Sequence, residues 1–137
     1  MDKGFKKLLD EASSLQELKK KIFNFNSDIS DKDIAQLKSL SDKGYHQAYM
    51  LLGIASTFGL GMPINPYTTD FYFQKLLDSK DVDNRFLFQI ANYYAGMGDE
   101  WKNKALLALN LAAQKGHPIA IGMVKRMEED PFDITQA

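Results

Sequence analysis

The apolar positions of this chain recur mostly at intervals of three and four residues, the period of an α-helix. Phe5, Leu8 and Leu9 share one predicted face near the start of the chain, and Leu37 and Leu40 share another. No segment competes as a β-strand, because the alternation of apolar and polar residues that is typical of strands is absent from the sequence. The pattern therefore predicts an all-α protein of about seven antiparallel helices joined by short loops.

Residues typical of helix ends separate these apolar segments. Ser14 with Glu17 has the spacing of a capping box, which predicts that a first short helix ends before it and a second begins there. Asn65 followed by Pro66 is a favourable helix start, and Ser30, Asp83 and Asp99 are predicted N-caps. After the two N-terminal helices, the predicted helices are 31–43, 45–58, 66–79, 84–95, 100–115 and 118–130.

Length and charge narrow the classes of function. A chain of 137 residues fits one domain, and its apolar content of 45% is enough for a buried core. The net charge is −1, with 17 basic and 18 acidic residues, so there is no basic excess for binding nucleic acid. No apolar run approaches the ~20 residues of a membrane span, and we expect no membrane partner.

The chain contains no cysteine, which rules out disulfides, thiolate nucleophiles and cysteine-based metal sites. The lysines near the N-terminus are not followed by the long apolar core of a signal peptide. Both observations favour a cytoplasmic location.

Small residues are concentrated on one side of the predicted helix 100–115. Ala105, Ala108, Ala112 and Ala113 lie at helical spacing and share a face. Larger side chains would bury more apolar area there, so their absence indicates that a second helix approaches closely, toward the short end of the usual range of about 8–10 Å. The pattern predicts helical hairpins that pack closely side by side.

A glycine followed by an alanine four residues later occurs at Gly44 and Ala48 and again at Gly116 and Ala120. The stretches LLGIASTFGLGMP and KALLALNLAAQKGH extend this similarity. With these motifs, positions 44–125 resemble the Sel-one-like repeat family, relatives of the tetratricopeptide repeats. Ser56 stands where the family usually has tyrosine, and Thr69 stands where it usually has alanine.

The resemblance implies a right-handed α–α superhelix, or solenoid, of antiparallel helical hairpins. Residues 1–43 would then form N-terminal helices that pack on the array or cap it. Residues 44–130 would form two repeats and a C-terminal capping helix, and residues 131–137 would form a flexible tail.

Candidate catalytic and metal sites are weak in this sequence. His46 and His117 each follow the glycine of a predicted turn and have neither a nucleophile nor a metal-ligand spacing beside them, so we interpret both as structural. The loop FGLGMP lacks the G-K-[ST] ending and the preceding strand of a phosphate-binding loop. We therefore expect no enzyme activity, no cofactor and no metal.

In tetratricopeptide-like arrays, one face of the first helix of each repeat lines a concave groove. By that analogy the candidate partner-binding residues are Gln47, Met50, Ile54, Thr57, Arg85, Phe88, Asn92 and Arg126. The alternative is that the N-terminal or C-terminal helices cover this face, and the sequence leaves both interpretations open.

The family's general role implies a non-catalytic adaptor or scaffold that binds another protein or a peptide through this groove. An alternative of a different kind is a bacterial immunity protein, which would neutralise a cognate toxin by direct binding. The sequence does not decide between the two or identify the partner.

Overall fold

In the computed structural model, which describes residues 3–24 and 28–129, seven α-helices and one 3-10 turn account for most of the chain. The helices are α1 (Lys3–Phe23), α2 (Asp31–Asp42), α3 (His46–Phe58), α4 (Pro66–Leu77), α5 (Asn84–Gly96), α6 (Lys102–Gln114) and α7 (Pro118–Glu129). No strand occurs in these two described ranges, so the all-α prediction is confirmed.

The first helix differs from its prediction. We expected a break at Ser14, but α1 runs without interruption from Lys3 to Phe23. Leu15, Leu18 and Ile22 are buried along one side of it. Burial of this continuous stripe stabilises the helical backbone through Ser14, which outweighs the weak preference of serine for a helix start.

Ser30 caps α2 as predicted, through a reciprocal capping box with Asp33. The Asp33 backbone N–H donates to Ser30 Oγ at 3.2 Å, and the Ser30 backbone N–H donates to Asp33 Oδ2 at 3.1 Å. Lys21 Nζ of α1 lies 3.1 Å from the same Asp33 oxygen, which ties α1 to α2. The Ser30 hydrogen bond first, and then Lys21, hold the pKa of the Asp33 carboxyl below its ordinary value.

This arrangement predicts that the stability of the folded protein depends on pH. A carboxyl whose pKa is lowered in the folded state contributes stability above its unfolded pKa, about 3.9, and loses it as pH falls through the lower folded value. Replacing Asp33 with asparagine should therefore reduce stability at neutral pH and flatten its decline below about pH 4. Urea unfolding from pH 3 to pH 7 measures both effects, with Asp31→Asn in the same helical turn as control. Parallel pH profiles for wild type and Asp33→Asn would contradict the assignment.

Two further predicted caps are confirmed, and one is wrong. Asn65 Oδ1 accepts the Tyr67 backbone N–H at 2.9 Å at the start of α4, and the Asp83 side chain caps α5. Asp99, in contrast, lies inside the 3-10 turn Asp99–Trp101, and α6 begins only at Lys102. Trp101 is buried against the Tyr94 ring at 6.0 Å, and this packing fixes the tight turn.

The chain divides into two compact units, Met1–Leu76 and Leu77–Ala137. The first contains α1 to α4, and the second contains α5, the 3-10 turn, α6 and α7. Within the first unit, α3 packs against both α1 and α2, and the start of a repeat array at residue 44 stays a prediction. The predicted tail, residues 131–137, lies outside the described residues.

In the first unit, small residues of α3 allow close contact with α4. A Cβ atom at Gly53 would overlap the Phe73 ring, at 2.6 Å from Cδ1 and 2.9 Å from Cζ. One helical turn further along α3, Ser56 Oγ and Thr69 Oγ1 form a buried hydrogen bond of 2.7 Å. The two departures from the repeat pattern, Ser56 and Thr69, therefore satisfy each other's hydroxyl groups inside the core.

The turn after α3 requires its glycines. Gly59 ends the helix with φ 75°, and Gly61 follows with φ 72°, both in the left-handed region that favours glycine. Gly61 also lies against Ile29 and Ile34, where a Cβ atom would be 3.1 Å from Ile34 Cγ1. The glycine spacing that suggested the repeat therefore has a local physical cause.

In the second unit, α6 packs against both α5 and α7 through small residues. Ala108 and Ala112 of α6 and Ala120 of α7 are fully buried, whereas Ala105 and Ala113 are half-buried. The prediction that α6 uses alanines for close helix packing is confirmed for Ala108 and Ala112.

Ala112→Leu should overpack this contact and cost roughly 1–3 kcal/mol. The matched control is Asn110→Leu, an exposed position on the same helix that should change stability by less than about 0.5 kcal/mol. Chemical denaturation followed by circular dichroism measures the difference. An unchanged midpoint for Ala112→Leu would contradict the tight contact.

Candidate functional site

Two of the predicted groove residues are core residues in this structure. Met50 and Ile54 of α3 have exposed fractions of 2% and 1%. Both belong to the first unit, in which α1 packs against α3. Their side chains offer no surface to a partner, and their burial favours our alternative interpretation, that other helices cover this face of α3.

The other two α3 candidates are partly buried. The Thr57 hydroxyl donates to the Gly53 carbonyl at 2.7 Å and lies 3.2 Å from Thr69 Oγ1. Gln47 is half-buried near the start of the helix. The structure therefore gives Thr57 an internal role and does not bring these residues together as an open apolar patch.

On α5, Arg85 and Phe88 both have structural contacts. The Arg85 guanidinium lies 2.8 Å from the capping carboxylate of Asp83 and lowers the pKa of that carboxyl. The Phe88 ring stacks on the His117 ring, with 4.2 Å between centroids and 15° between planes. His117 Nδ1 also accepts the Ala120 backbone N–H at 3.3 Å, which agrees with its predicted structural role at the start of α7.

The two remaining candidates, Asn92 and Arg126, line the same open cleft in the second unit. The cleft has a volume of about 490 Å³, within the range of ligand sites in proteins. Its other lining residues are Ala91, Ala95, Gly98, Asp99, Lys102, Ala105, Leu106, Leu109, Met123 and Met127. We call this feature the α6 cleft, because residues of α6 line it together with residues of α5 and α7.

The floor of the α6 cleft is apolar, and its rim is polar. Leu106, Met123 and Met127 are half-buried, so each retains some surface that a partner can cover. Methionine is flexible and adapts its shape to different apolar partners. A surface of this composition is suited to contact with apolar side chains.

The rim carries charges of both signs. Asn92, Asp99, Lys102 and Arg126 are all exposed. Within residues 3–24 and 28–129, no carboxylate pairs with Arg126 and no cation pairs with Asp99. Both can therefore bind charged groups of a partner without breaking an ion pair in this part of the chain.

Leu106, Met123 and Met127 were not among the partner-binding residues predicted from the sequence. A signal was nevertheless present, because Met123 and Met127 are four residues apart on a helix whose one buried residue among those described is Ala120. Apolar residues beyond those needed for packing indicate a surface available for contact.

No group of three or more histidine and acidic side chains is placed to hold a metal ion in the described ranges. None of the described helices has both the length and the apolar character needed to cross a membrane.

Comparison with known protein families, with curated proteins and with solved structures finds no match for this chain. The similarity to Sel-one-like repeats therefore rests on the sequence motifs at positions 44–125.

Proposed function

We propose that this protein is a non-catalytic helical-repeat module of the Sel-one-like type, arranged as a right-handed α–α superhelix, that binds another protein as an adaptor or scaffold. The binding surface is the α6 cleft of the second unit. The absence of cysteine suits a reducing compartment, and we place the module in the cytoplasm.

The main support for this proposal is the α6 cleft itself, which has an apolar floor and a polar rim. Elsewhere in the same unit, Ala108, Ala112 and Ala120 are fully buried between the helices. Leaving the Met123 and Met127 side chains partly in water costs hydrophobic stabilisation that a partner can recover. Protein interfaces commonly have this composition, with an apolar centre and a charged periphery.

The dimensions of the cleft limit the size of what enters it. Its α6 residues extend from Lys102 to Leu109, which at 1.5 Å per residue is roughly 10 Å of helix. That length accommodates one or two large apolar side chains and is too short for a long groove-bound helix. We infer that the partner inserts one or two apolar anchor side chains, with polar neighbours contacting Arg126 and Asp99.

Filling the cleft tests this proposal. Ala95 is exposed on the cleft lip, so Ala95→Trp should occupy the space without disturbing the core. Gln89→Trp places the same side chain at an exposed position of α5 outside the cleft. We expect wild type and Gln89→Trp to capture a partner protein from the native cell. Ala95→Trp should capture at least tenfold less of that partner. Equal capture by all three proteins would place the binding surface elsewhere.

The immunity alternative uses the same cleft and predicts a different partner. In that case the captured protein should be a toxin whose activity falls when this chain binds and recovers with Ala95→Trp. An adaptor should leave the intrinsic activity of its partner unchanged.

A further inference from the structure

The N-terminal half of α1 exposes a stripe of large apolar side chains. Phe5, Leu8 and Leu9 have exposed fractions of 53%, 57% and 47%, and Phe23 near the other end of the helix is also exposed. The buried side of α1 is formed by other residues, namely Leu15, Leu18 and Ile22. Large apolar side chains of α1 therefore extend beyond the part of the helix that the core covers.

The charge of α1 is strongly biased. Its sequence KGFKKLLDEASSLQELKKKIF contains six lysines and three acidic residues, a net charge of +3 in a chain whose total is −1. Most of the negative charge of the protein therefore lies outside this helix.

Lysines share the side of the helix that carries the exposed stripe. At 3.6 residues per turn, Lys6 flanks Leu9, and Lys19 and Lys20 lie on the same side further along the helix, near Phe23. Asp10 and Glu17 lie further round the helix, away from the stripe.

The remaining acidic residue of α1, Glu11, interacts with other residues of the first unit. It forms an ion pair with Lys43 of the chain segment after α2, and it accepts a hydrogen bond from the Tyr45 hydroxyl at 3.2 Å. The Lys43 hydrogen bond lowers the pKa of Glu11, so its charge remains committed to this contact. It does not offset the lysines beside the stripe.

We propose that α1 binds an anionic lipid surface, with Phe5, Leu8 and Leu9 inserted at the interface and the lysines contacting the headgroups. An interfacial helix has these features: phenylalanine and leucine on one face, lysines around it and little overall hydropathy. The long lysine stems can follow the apolar stripe while their ammonium groups reach anionic headgroups. The proposed helix would bind at the membrane surface without crossing the membrane. Our sequence-based expectation of no membrane partner concerned only a membrane-spanning segment.

A lipid surface fits this stripe better than a peptide does. The stripe is exposed on a single helix, and the cleft that Lys7, Asp10 and Glu11 line in the first unit does not include Phe5, Leu8 or Leu9. A convex stripe contacts an extended flat surface along its length, whereas an inserted peptide side chain needs a concavity such as the α6 cleft.

Vesicle flotation tests the proposal. The full chain should float with vesicles of phosphatidylcholine and phosphatidylglycerol, and not with phosphatidylcholine alone, and high salt should release it. Leu8→Gln with Leu9→Gln should weaken binding by at least about tenfold. The matched control, Tyr67→Gln with Phe71→Gln, removes two similarly exposed side chains from α4 and should bind as wild type.

A second pair of variants tests the charge. Lys6→Glu with Lys20→Glu should abolish binding to anionic vesicles, whereas Lys32→Glu with Lys38→Glu makes the same charge change at exposed positions of α2 and should reduce it far less. All eight positions are outside the buried core, and unchanged circular dichroism confirms folding. Absence of vesicle binding overturns the proposal. So does self-association, measured by light scattering, that Leu8→Gln with Leu9→Gln abolishes, because a second copy would then cover the stripe.

Discussion

Replacing Met50 with aspartate is expected to unfold the first unit. The side chain is 2% exposed, so the new carboxylate would lie in the core without a hydrogen-bond partner. An uncompensated buried polar group costs several kcal/mol, a large part of the roughly 5–15 kcal/mol that stabilises a typical domain. Circular dichroism at 222 nm and urea denaturation should show loss of helix and a lower midpoint.

Met50→Leu is the matched control for this result. It keeps the volume and the apolar character of the side chain and should cost less than about 1.5 kcal/mol. From the sequence alone, aspartate at this position would have been expected to disrupt a binding groove and preserve the fold. A Met50→Asp protein with wild-type helix content and midpoint would restore that interpretation and contradict the burial of this face.

Replacing Gly53 with alanine should destabilise the first unit, although alanine is the better helix former. Intrinsic propensity alone favours alanine in a helix interior by about 1 kcal/mol. At Gly53 the added methyl group would overlap the fully buried Phe73 ring, so the ring would have to shift within the core. Overpacking of this kind costs roughly 1–3 kcal/mol, so the net effect should be a loss of stability.

Gly122→Ala is expected to have the opposite effect on the stability of the same protein. Gly122 lies within α7, and a Cβ atom there would meet nothing within 4 Å. That substitution should raise stability by up to about 1 kcal/mol. Denaturation of both variants tests the packing directly, because stabilisation by Gly53→Ala would show that α3 and α4 do not approach closely at this point.

Features that depend on neighbouring residues were predictable from the sequence. Ser30, Asn65 and Asp83 cap their helices because a side-chain oxygen there reaches the next backbone N–H groups, whatever the rest of the fold does. The turn after α3 was predictable for a similar reason, since Gly59 and Gly61 take up backbone angles that other residues rarely adopt.

Features that depend on distant residues were not predictable. Ser14 has the spacing of a helix start, but burial of Leu15 and Leu18 keeps α1 continuous through it. Asp99 has the chemistry of a cap, but the packing of Trp101 on Tyr94 makes a 3-10 turn there. In each case tertiary packing outweighs a local preference worth about 1 kcal/mol.

The candidate site also combines features that depend on neighbouring residues with features that depend on distant ones. Helical spacing predicted that Met50 and Ile54 share a face of α3, but whether that face is covered depends on other helices of the unit, which lie elsewhere in the sequence. Asn92 and Arg126 do line one cleft. Leu106, Met123 and Met127 of this cleft were not predicted, because how far their side chains are covered depends on contacts between helices.

Site-directed photo-crosslinking is the most direct test of the α6 cleft as the partner-binding site. The chain has no cysteine, so Ala95→Cys on the cleft lip and Gln89→Cys outside it each provide one attachment point for a photoreactive group. We predict that illumination in the captured complex joins the partner to position 95 and not to position 89. Crosslinks of equal yield from both positions, or from position 89 alone, would contradict the account.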